Sequence, residues 1–195
     1  MTQRRDAQQA LHALAYRQSG YFTAAQAVSL GFSHQGQKYH VDAGNWVRVE
    51  RGIFRLRDWP GEIEDVYVLW SLWSRGRGVL SHATALAVHD LGTLDPAEVT
   101  MTVPQGFRAR HPAVRTVAGT VPDADVEDRG AFRVTAPVRT LLDVASTSGQ
   151  EIVDDAVADA LDRGLVSART LRRRADEAGD RAALRIERAL AAVGR

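Results

Sequence analysis

The chain has 195 residues, of which 45% are hydrophobic and 25% charged, and a formal net charge of +1, a composition typical of one or two globular domains. It contains no cysteine, which excludes disulfide bonds, thiolate metal sites and cysteine nucleophiles. The densest apolar run, residues 66–73, is too short to cross a membrane, and the N-terminus lacks the apolar segment of a secretion signal. We therefore expect a cytoplasmic protein.

Charge is unevenly distributed along the chain. Residues 1–57 contain eight basic and three acidic residues, which gives a net charge of +5. The remaining residues contain 17 basic and 21 acidic residues, which gives a net charge of −4. A basic excess confined to one end favours binding of a polyanion there. The sequence thus predicts a nucleic-acid-binding N-terminal part and a different partner for the rest.

The N-terminal part is predicted to begin with three helices. Residues 6–18 place alanine and leucine side chains at helical spacing. Thr23 and Gln26 have the spacing of a capping box for a short second helix, which Gly31 can end. Ser33 can cap a third helix that runs to about residue 43. Two short helices joined by a short glycine-containing turn are typical of the DNA-binding helix-turn-helix, in which the second helix of the pair reads the DNA.

A hairpin follows this reading helix. Residues 46–50 and 53–56 alternate with period two around Arg51-Gly52, which predicts two strands and a turn. Residues 1–58 are accordingly predicted to form a winged helix-turn-helix domain. An isolated helix-turn-helix can also act as a protein-docking module, but the positive charge of this part favours DNA.

We predict DNA contacts from the reading helix, from the cap residues of the two short helices and from the hairpin. Glutamine and histidine side chains can bond base edges, lysine and tyrosine can reach phosphates or stack, and arginines on a wing meet phosphates. The predicted set consists of Thr23, Ser33, His34, Gln35, Lys38, Tyr39, Arg48, Arg51 and Arg55.

The second domain is predicted to span residues 59–195, beyond a turn at residues 58–61. It should be a mixed α/β domain with a helical C-terminal end, so the fold class of the whole chain is α+β. Predicted helices cover residues 62–74, about ten residues after Ser81, and residues 135–145, 150–163, 168–178 and 180–193; predicted strands cover residues 99–103, 114–118 and 132–134, with an acidic loop at 123–128.

The histidines of this domain do not form a recognisable catalytic or metal site. His82 and His89 lie two helical turns apart, about 10 Å by helical rise, which is too far to share one metal ion. Ser81, His82 and Asp90 have the letters of a catalytic triad, but no nucleophile elbow or glycine-rich oxyanion loop accompanies them. We therefore predict structural or interface roles for these histidines, and no enzymatic activity, metal or cofactor.

The two C-terminal helices are rich in arginine. Such a run usually forms a solvated face, but an arginine-rich surface also suits an acidic protein partner. The candidate partner-binding residues are Arg169, Arg172, Arg173, Arg174, Arg181 and Arg185.

Sequence blocks in a fixed order carry a family resemblance. The predicted helix-turn-helix is followed by the hairpin end R-G-I-F-R-L from Arg51, the block S-H-A-T-A-L-A-V-H-D-L from Ser81, and T-A-P-V-R-T-L-L-D from Thr135. Together these blocks resemble AbiEi antitoxins of type IV toxin-antitoxin systems. The resemblance implies an N-terminal domain that binds and represses its own promoter, and a C-terminal domain that counters a nucleotidyltransferase toxin. The chain departs from the family at Gln37 and His40, where the reading helix usually has aliphatic residues.

Other classes of function are weighed against this one. A DNA-binding regulator whose C-terminal half senses another signal, or oligomerises, fits the same residues without a toxin. An enzyme using His82 and His89 has no support in the spacing of its residues. A nucleotidyltransferase-like reading frame next to this gene would favour the antitoxin over the other regulator.

Overall fold

The computed structural model describes residues 2–194, with side chains from residue 5 onward, and is an α+β protein. The helices are α1 (Thr2–Tyr16), α2 (Ala24–Ser29), α3 (His34–Asp42), α4 (Asp65–Trp73), α5 (His82–His89), α6 (Pro137–Thr147), α7 (Gln150–Asp162), α8 (Ala168–Ala178) and α9 (Asp180–Ala192). The strands are β1 (Tyr21–Thr23), β2 (Trp46–Glu50), β3 (Ile53–Leu56), β4 (Val79–Leu80), β5 (Val99–Val103), β6 (Val114–Ala118), β7 (Val126–Asp128) and β8 (Arg133–Thr135).

The chain divides into two compact units. The first unit extends to Gly76 and includes Gly130–Phe132, and the second contains Arg77–Arg129 and the residues from Arg133 onward. No helix within residues 2–194 is long and apolar enough to cross a membrane.

The first unit packs α1, α2 and α3 around an antiparallel sheet with strand order β1-β3-β2. Its core is aromatic: Phe22 lies edge-on to Trp46 with ring centroids 4.8 Å apart, and Phe54 packs against both rings. The predicted short helices and hairpin are observed. Strand β1 was not predicted, because three residues are too few to show alternation; the strand forms by pairing with β3.

Helix α4 differs from its prediction. The helix was predicted to begin at residue 62, but it begins at Asp65; Ile63 precedes it and is 91% exposed, whereas Val68 and Trp70 are buried. The helix packs against β1 and β3 and therefore belongs to the first unit, beyond the boundary that the sequence predicted at residues 58–61. Asp65, in its first turn, holds it to β3 through an ion pair with Arg55.

The second unit contains a mixed sheet with strand order β6-β5-β4-β8-β7. Strands β5 and β6 are parallel, as are β4 and β8, while β4–β5 and β7–β8 are antiparallel. The apolar faces of α5 to α9 form a separate core that includes Leu86, Leu141 and Ile186. Because each of these helices buries one apolar face in this core, the C-terminal sequence has the pattern of consecutive amphipathic helices.

Two local predictions for the second unit were wrong. The acidic segment at 123–128 was predicted as a loop, but it forms a 3₁₀ turn at Asp123–Asp125 and the strand β7, which pairs with β8. A helix was predicted to begin at residue 135, but Thr135 ends β8, and its hydroxyl lies 2.7 Å from that of Thr140. The backbone of Ala136 occupies the N-cap position instead, with Pro137 in the first turn.

Candidate nucleic-acid interface

Local capping residues position the two short helices of the first unit. The Thr23 hydroxyl accepts a hydrogen bond from the Gln26 backbone N–H at 3.1 Å, and the Gln26 side chain accepts one from the Thr23 N–H at 2.7 Å. This reciprocal pair is the predicted capping box, and it starts α2. The Ser33 hydroxyl accepts a hydrogen bond from the Gly36 N–H at 3.1 Å and starts α3. The hydroxyls of Thr23 and Ser33, both included in the predicted DNA-contacting set, are therefore engaged in capping α2 and α3.

Helix α3 exposes four of the predicted DNA-contacting residues. His34, Gln35, Lys38 and Tyr39 are exposed, and 59% of Tyr39 is accessible. Lys38 forms an ion pair with Asp42 at 2.7 Å, but both side chains are largely exposed. Such a surface pair contributes little to stability, so the ammonium group of Lys38 can exchange Asp42 for a phosphate at small cost.

The hairpin presents two exposed arginines. Arg48 lies on β2 with its guanidinium 5.3 Å from the centre of the Phe54 ring, and Arg51 lies at the turn. The pairing of β2 with β3 shifts register between Arg48 and Glu50, so the ribbon carries an irregularity just before its turn. Both guanidinium groups are available to anionic groups of a ligand.

Arg55 was predicted to contact DNA, but its guanidinium makes its interactions inside the first unit. Its guanidinium pairs with the carboxylate of Asp65, donates to the Pro60 carbonyl at 3.0 Å and to the Ser19 carbonyl at 3.3 Å, and lies 4.8 Å from the centre of the Tyr21 ring. Its side chain is only 20% exposed. These interactions occupy its donors inside the first unit, so Arg55 joins β3 to α4 rather than offering itself to a phosphate.

The arginines of the C-terminal helices also divide into internal and exposed residues. Arg174 donates to both carboxylate oxygens of Asp125, at 2.9 and 3.0 Å. Arg185 donates to the carbonyls of Ala145 and Ser148. The prediction of these two as partner-binding residues is corrected, because their donors stabilise the second unit itself.

The other predicted arginines of this set lie at the surface. Arg172 joins α8 to α9 through Glu187 at 2.8 Å, and about half of each side chain is exposed. Arg169, Arg173 and Arg181 are exposed. The candidate partner surface therefore consists of Arg169, Arg173 and Arg181, with the partly exposed Arg172 beside them.

The two histidines that the sequence analysis singled out belong to internal hydrogen-bond networks. The Nδ1 atom of His82 lies 2.9 Å from the Ser81 hydroxyl, which also accepts a hydrogen bond from the Thr102 hydroxyl at 2.9 Å. The Nε2 atom of His89 lies 2.7 Å from the Thr135 carbonyl oxygen. Among residues 2–194, no three acidic or histidine side chains lie together as a metal site would require.

Burial lowers the pKa of both His82 and His89 below the ordinary value of 6.5. Desolvation is the largest cause at each residue, and it outweighs the nearby carboxylates of Asp143 and Glu127, which act in the opposite direction. Below pH 6.5 the unfolded chain therefore binds protons that the folded chain excludes. The corresponding stability is present above that pH and is lost as the pH falls.

We expect the double variant His82→Gln/His89→Gln to lose less stability than the unchanged protein as the pH falls. The free energy of unfolding of the unchanged protein should fall more steeply between pH 7 and pH 5 than that of the double variant. Urea titrations across this range measure the difference. His12→Gln, at an exposed position on α1, is the control and should follow the unchanged protein. Parallel profiles for the double variant and the unchanged protein would contradict the prediction.

No model of a known protein family matches this sequence, and no curated protein matches it. Among solved structures, the chain is similar to the crystal structure of the RV2827C protein from Mycobacterium tuberculosis, with a TM-score of 0.61 over 95% of this chain and 76% of that chain. The two sequences are 17% identical, so this similarity concerns the fold alone.

Proposed function

We propose that the first unit is a winged helix-turn-helix that binds duplex DNA, with α3 in the major groove and the β2–β3 hairpin on the phosphate backbone. The observation that carries this proposal is the exposure of His34, Gln35, Lys38 and Tyr39 on one short helix, followed directly by a hairpin with exposed Arg48 and Arg51. These residues lie in the part of the chain that carries the net charge of +5. Base-edge donors and acceptors on a helix, with cations beside it, are what duplex recognition requires.

For the whole chain we propose an AbiEi-like antitoxin of a type IV toxin-antitoxin pair. It represses its own promoter through the first unit and counters a nucleotidyltransferase toxin through the second. The sequence blocks that begin at Arg51, Ser81 and Thr135 support this proposal. The alternative is a DNA-binding regulator whose second unit senses another signal or oligomerises, and the DNA-binding residues are the same in both.

Arg48→Ala and Arg51→Ala should each weaken DNA binding for all sequences. Each lost phosphate contact should also reduce the slope of log K against log salt concentration by up to about 1. Fluorescence anisotropy with a labelled promoter fragment at several salt concentrations measures both effects. Arg108→Ala, at an exposed position of the second unit, is the matched control and should change neither. If the unchanged protein binds no promoter fragment even at low salt, the proposal of DNA binding is wrong.

Gln35→Ala should act differently from the hairpin variants. Because a glutamine amide can bond a base edge in two places, its loss should change which sequences are preferred and leave the salt slope unaltered. Selection of duplexes from a random library with each variant measures this preference. An unchanged preference would remove Gln35 from the set of base-reading residues.

Reversing Arg169, Arg173 and Arg181 to glutamate should abolish rescue of cells that express the toxin while promoter binding survives. The reversed charges would repel the carboxylates of an acidic partner. The matched control reverses Arg108, Arg110 and Arg115, three other exposed arginines of the second unit, and should retain rescue. Full rescue by the first triple variant would exclude this surface, and absence of any rescue by the unchanged chain would favour the alternative regulator.

A further inference from the structure

The inner face of α3 carries a buried polar residue. Gln37 is 3% exposed, and its amide nitrogen donates to the Ala24 carbonyl at 3.1 Å and to the Phe32 carbonyl at 3.2 Å. Ala24 begins α2, and Phe32 lies in the turn between the two helices. Both N–H groups of this one side chain therefore join α3 to the preceding helix and to the turn.

Ala24, which accepts a hydrogen bond from Gln37, also contacts the β2–β3 hairpin. The Ala24 N–H donates to the Gly52 carbonyl at 2.8 Å, at the β2–β3 turn, while the Ala24 carbonyl accepts from Gln37. Gly52 adopts φ of +73°, which a glycine accommodates without strain. Helix α3 and the turn that presents Arg51 are thus both fixed to Ala24.

The C-terminal end of α3 has a second polar attachment. The imidazole of His40 stacks on the indole of Trp46, with ring centroids 4.5 Å apart and an angle of 13° between the planes. Its Nδ1 atom lies 3.2 Å from the Asn45 amide nitrogen. Trp46 is 4% exposed and belongs to the core of the first unit. This end of α3 is therefore oriented by the first residue of β2.

We propose that Gln37 and His40 are positioning residues that set the orientation in which α3 presents its reading side chains to DNA. The inference rests on the proposed DNA binding and deepens it, because it assigns sequence discrimination partly to residues that do not touch the DNA. An aliphatic side chain at either position fills space without a preferred direction, whereas hydrogen bonds and ring stacking fix an angle.

Under this proposal, Gln37 and His40 affect how well the protein distinguishes one DNA sequence from another more than how tightly it binds duplex DNA in general. Phosphate contacts through Lys38 and the hairpin arginines tolerate a small rotation of α3, since they are long-range and sequence-independent. Bonds to base edges do not tolerate it, because hydrogen bonds weaken steeply with angle. Gln37→Leu should therefore bind random duplex within about twofold of the unchanged protein, while its preference for a selected sequence falls roughly tenfold or more.

The experiment first selects a preferred duplex from a random library with the unchanged full-length protein. Dissociation constants for that duplex and for a scrambled duplex are then measured by anisotropy for Gln37→Leu, Gln37→Met, His40→Ala and His40→Phe. His40→Phe keeps a ring on Trp46 and should retain discrimination that His40→Ala loses. Gln8→Leu, at an exposed position on α1, is the matched control and should behave as the unchanged protein. Circular dichroism confirms that each variant is folded.

The proposal is supported if the Gln37 variants lose their preference for the selected duplex but still bind the scrambled duplex as tightly as the unchanged protein does. Unchanged discrimination in Gln37→Leu and Gln37→Met, or equal losses on both duplexes, would overturn it, because a merely structural residue weakens both alike. Equal behaviour of His40→Phe and His40→Ala would overturn the part that concerns His40. If the unchanged protein binds duplex DNA without selecting a sequence, positioning is overturned while DNA binding stands; if it binds no duplex, the proposed function itself fails.

Discussion

Arg55→Ala should lower the free energy of unfolding of the first unit by about 3 kcal/mol, because the change leaves a buried carboxylate without its cation. The side chain of Asp65 is 8% exposed, and the Arg55 guanidinium is paired with it. One Asp65 oxygen, Oδ2, also accepts the Glu62 N–H at 2.9 Å, whereas Oδ1 is buried without a hydrogen bond. The Arg55 guanidinium is therefore the cation that compensates this buried carboxylate.

Tryptophan fluorescence measures this effect selectively. The four tryptophans of the chain, Trp46, Trp59, Trp70 and Trp73, all belong to the first unit, so their emission in a urea titration reports its unfolding. Arg51→Ala, on the same hairpin but exposed, is the control and should change stability by less than about 0.5 kcal/mol. If Arg55→Ala unfolds like the unchanged protein and instead loses salt-dependent DNA binding, Arg55 is a phosphate contact after all.

The same ion pair indicates where a fragment that retains the proposed DNA binding should end. A fragment of residues 1–58 lacks Asp65 and the rest of α4, so it should be largely unfolded. A fragment of residues 1–76 retains both and should fold and bind DNA. Circular dichroism and gel shifts with the two fragments measure this difference, and equal behaviour would show that α4 is dispensable.

Arg174→Ala should destabilise the second unit by a similar amount, about 3 kcal/mol. Asp125 is 5% exposed and receives both hydrogen bonds of Arg174, while Arg139 lies 4.0 Å from the same carboxylate. These hydrogen bonds raise the pKa of Arg174 above its ordinary value, which is the direction expected when the charged form is stabilised. The pair joins α8 to the turn that precedes β7, so its loss should loosen that edge of the sheet.

Amide hydrogen exchange measures this second effect, since the second unit contains no tryptophan. Protection of β7, β8 and α8 should fall in Arg174→Ala and remain unchanged in Arg173→Ala, its exposed neighbour. Asp125→Leu/Arg174→Met should recover much of the stability, because an apolar pair removes both charges together. Equal protection in the two single variants would contradict the internal role of Arg174. Tests of the partner surface must leave Arg174 in place for the same reason.

The sequence by itself determined the local structure. The caps at Thr23 and Ser33, the hairpin at Arg51-Gly52 and the four C-terminal helices follow from interactions between residues a few positions apart, and those patterns are visible along the chain. The concentration of positive charge in residues 1–57 is likewise a property of the sequence alone. Short strands such as β1 and β4 were not visible, because they exist only through their pairing with strands distant in sequence.

Only the tertiary structure decided which arginines are available to a ligand. Arg51 and Arg55 lie on one hairpin, and Arg173 and Arg174 are adjacent, yet in each pair one side chain is exposed and the other is bound internally. The difference lies in carboxylates that the chain brings from 10 and 49 residues away. The energy of an ion pair depends on the distance between its charges and on their removal from water, and neither quantity is encoded by the local sequence around an arginine.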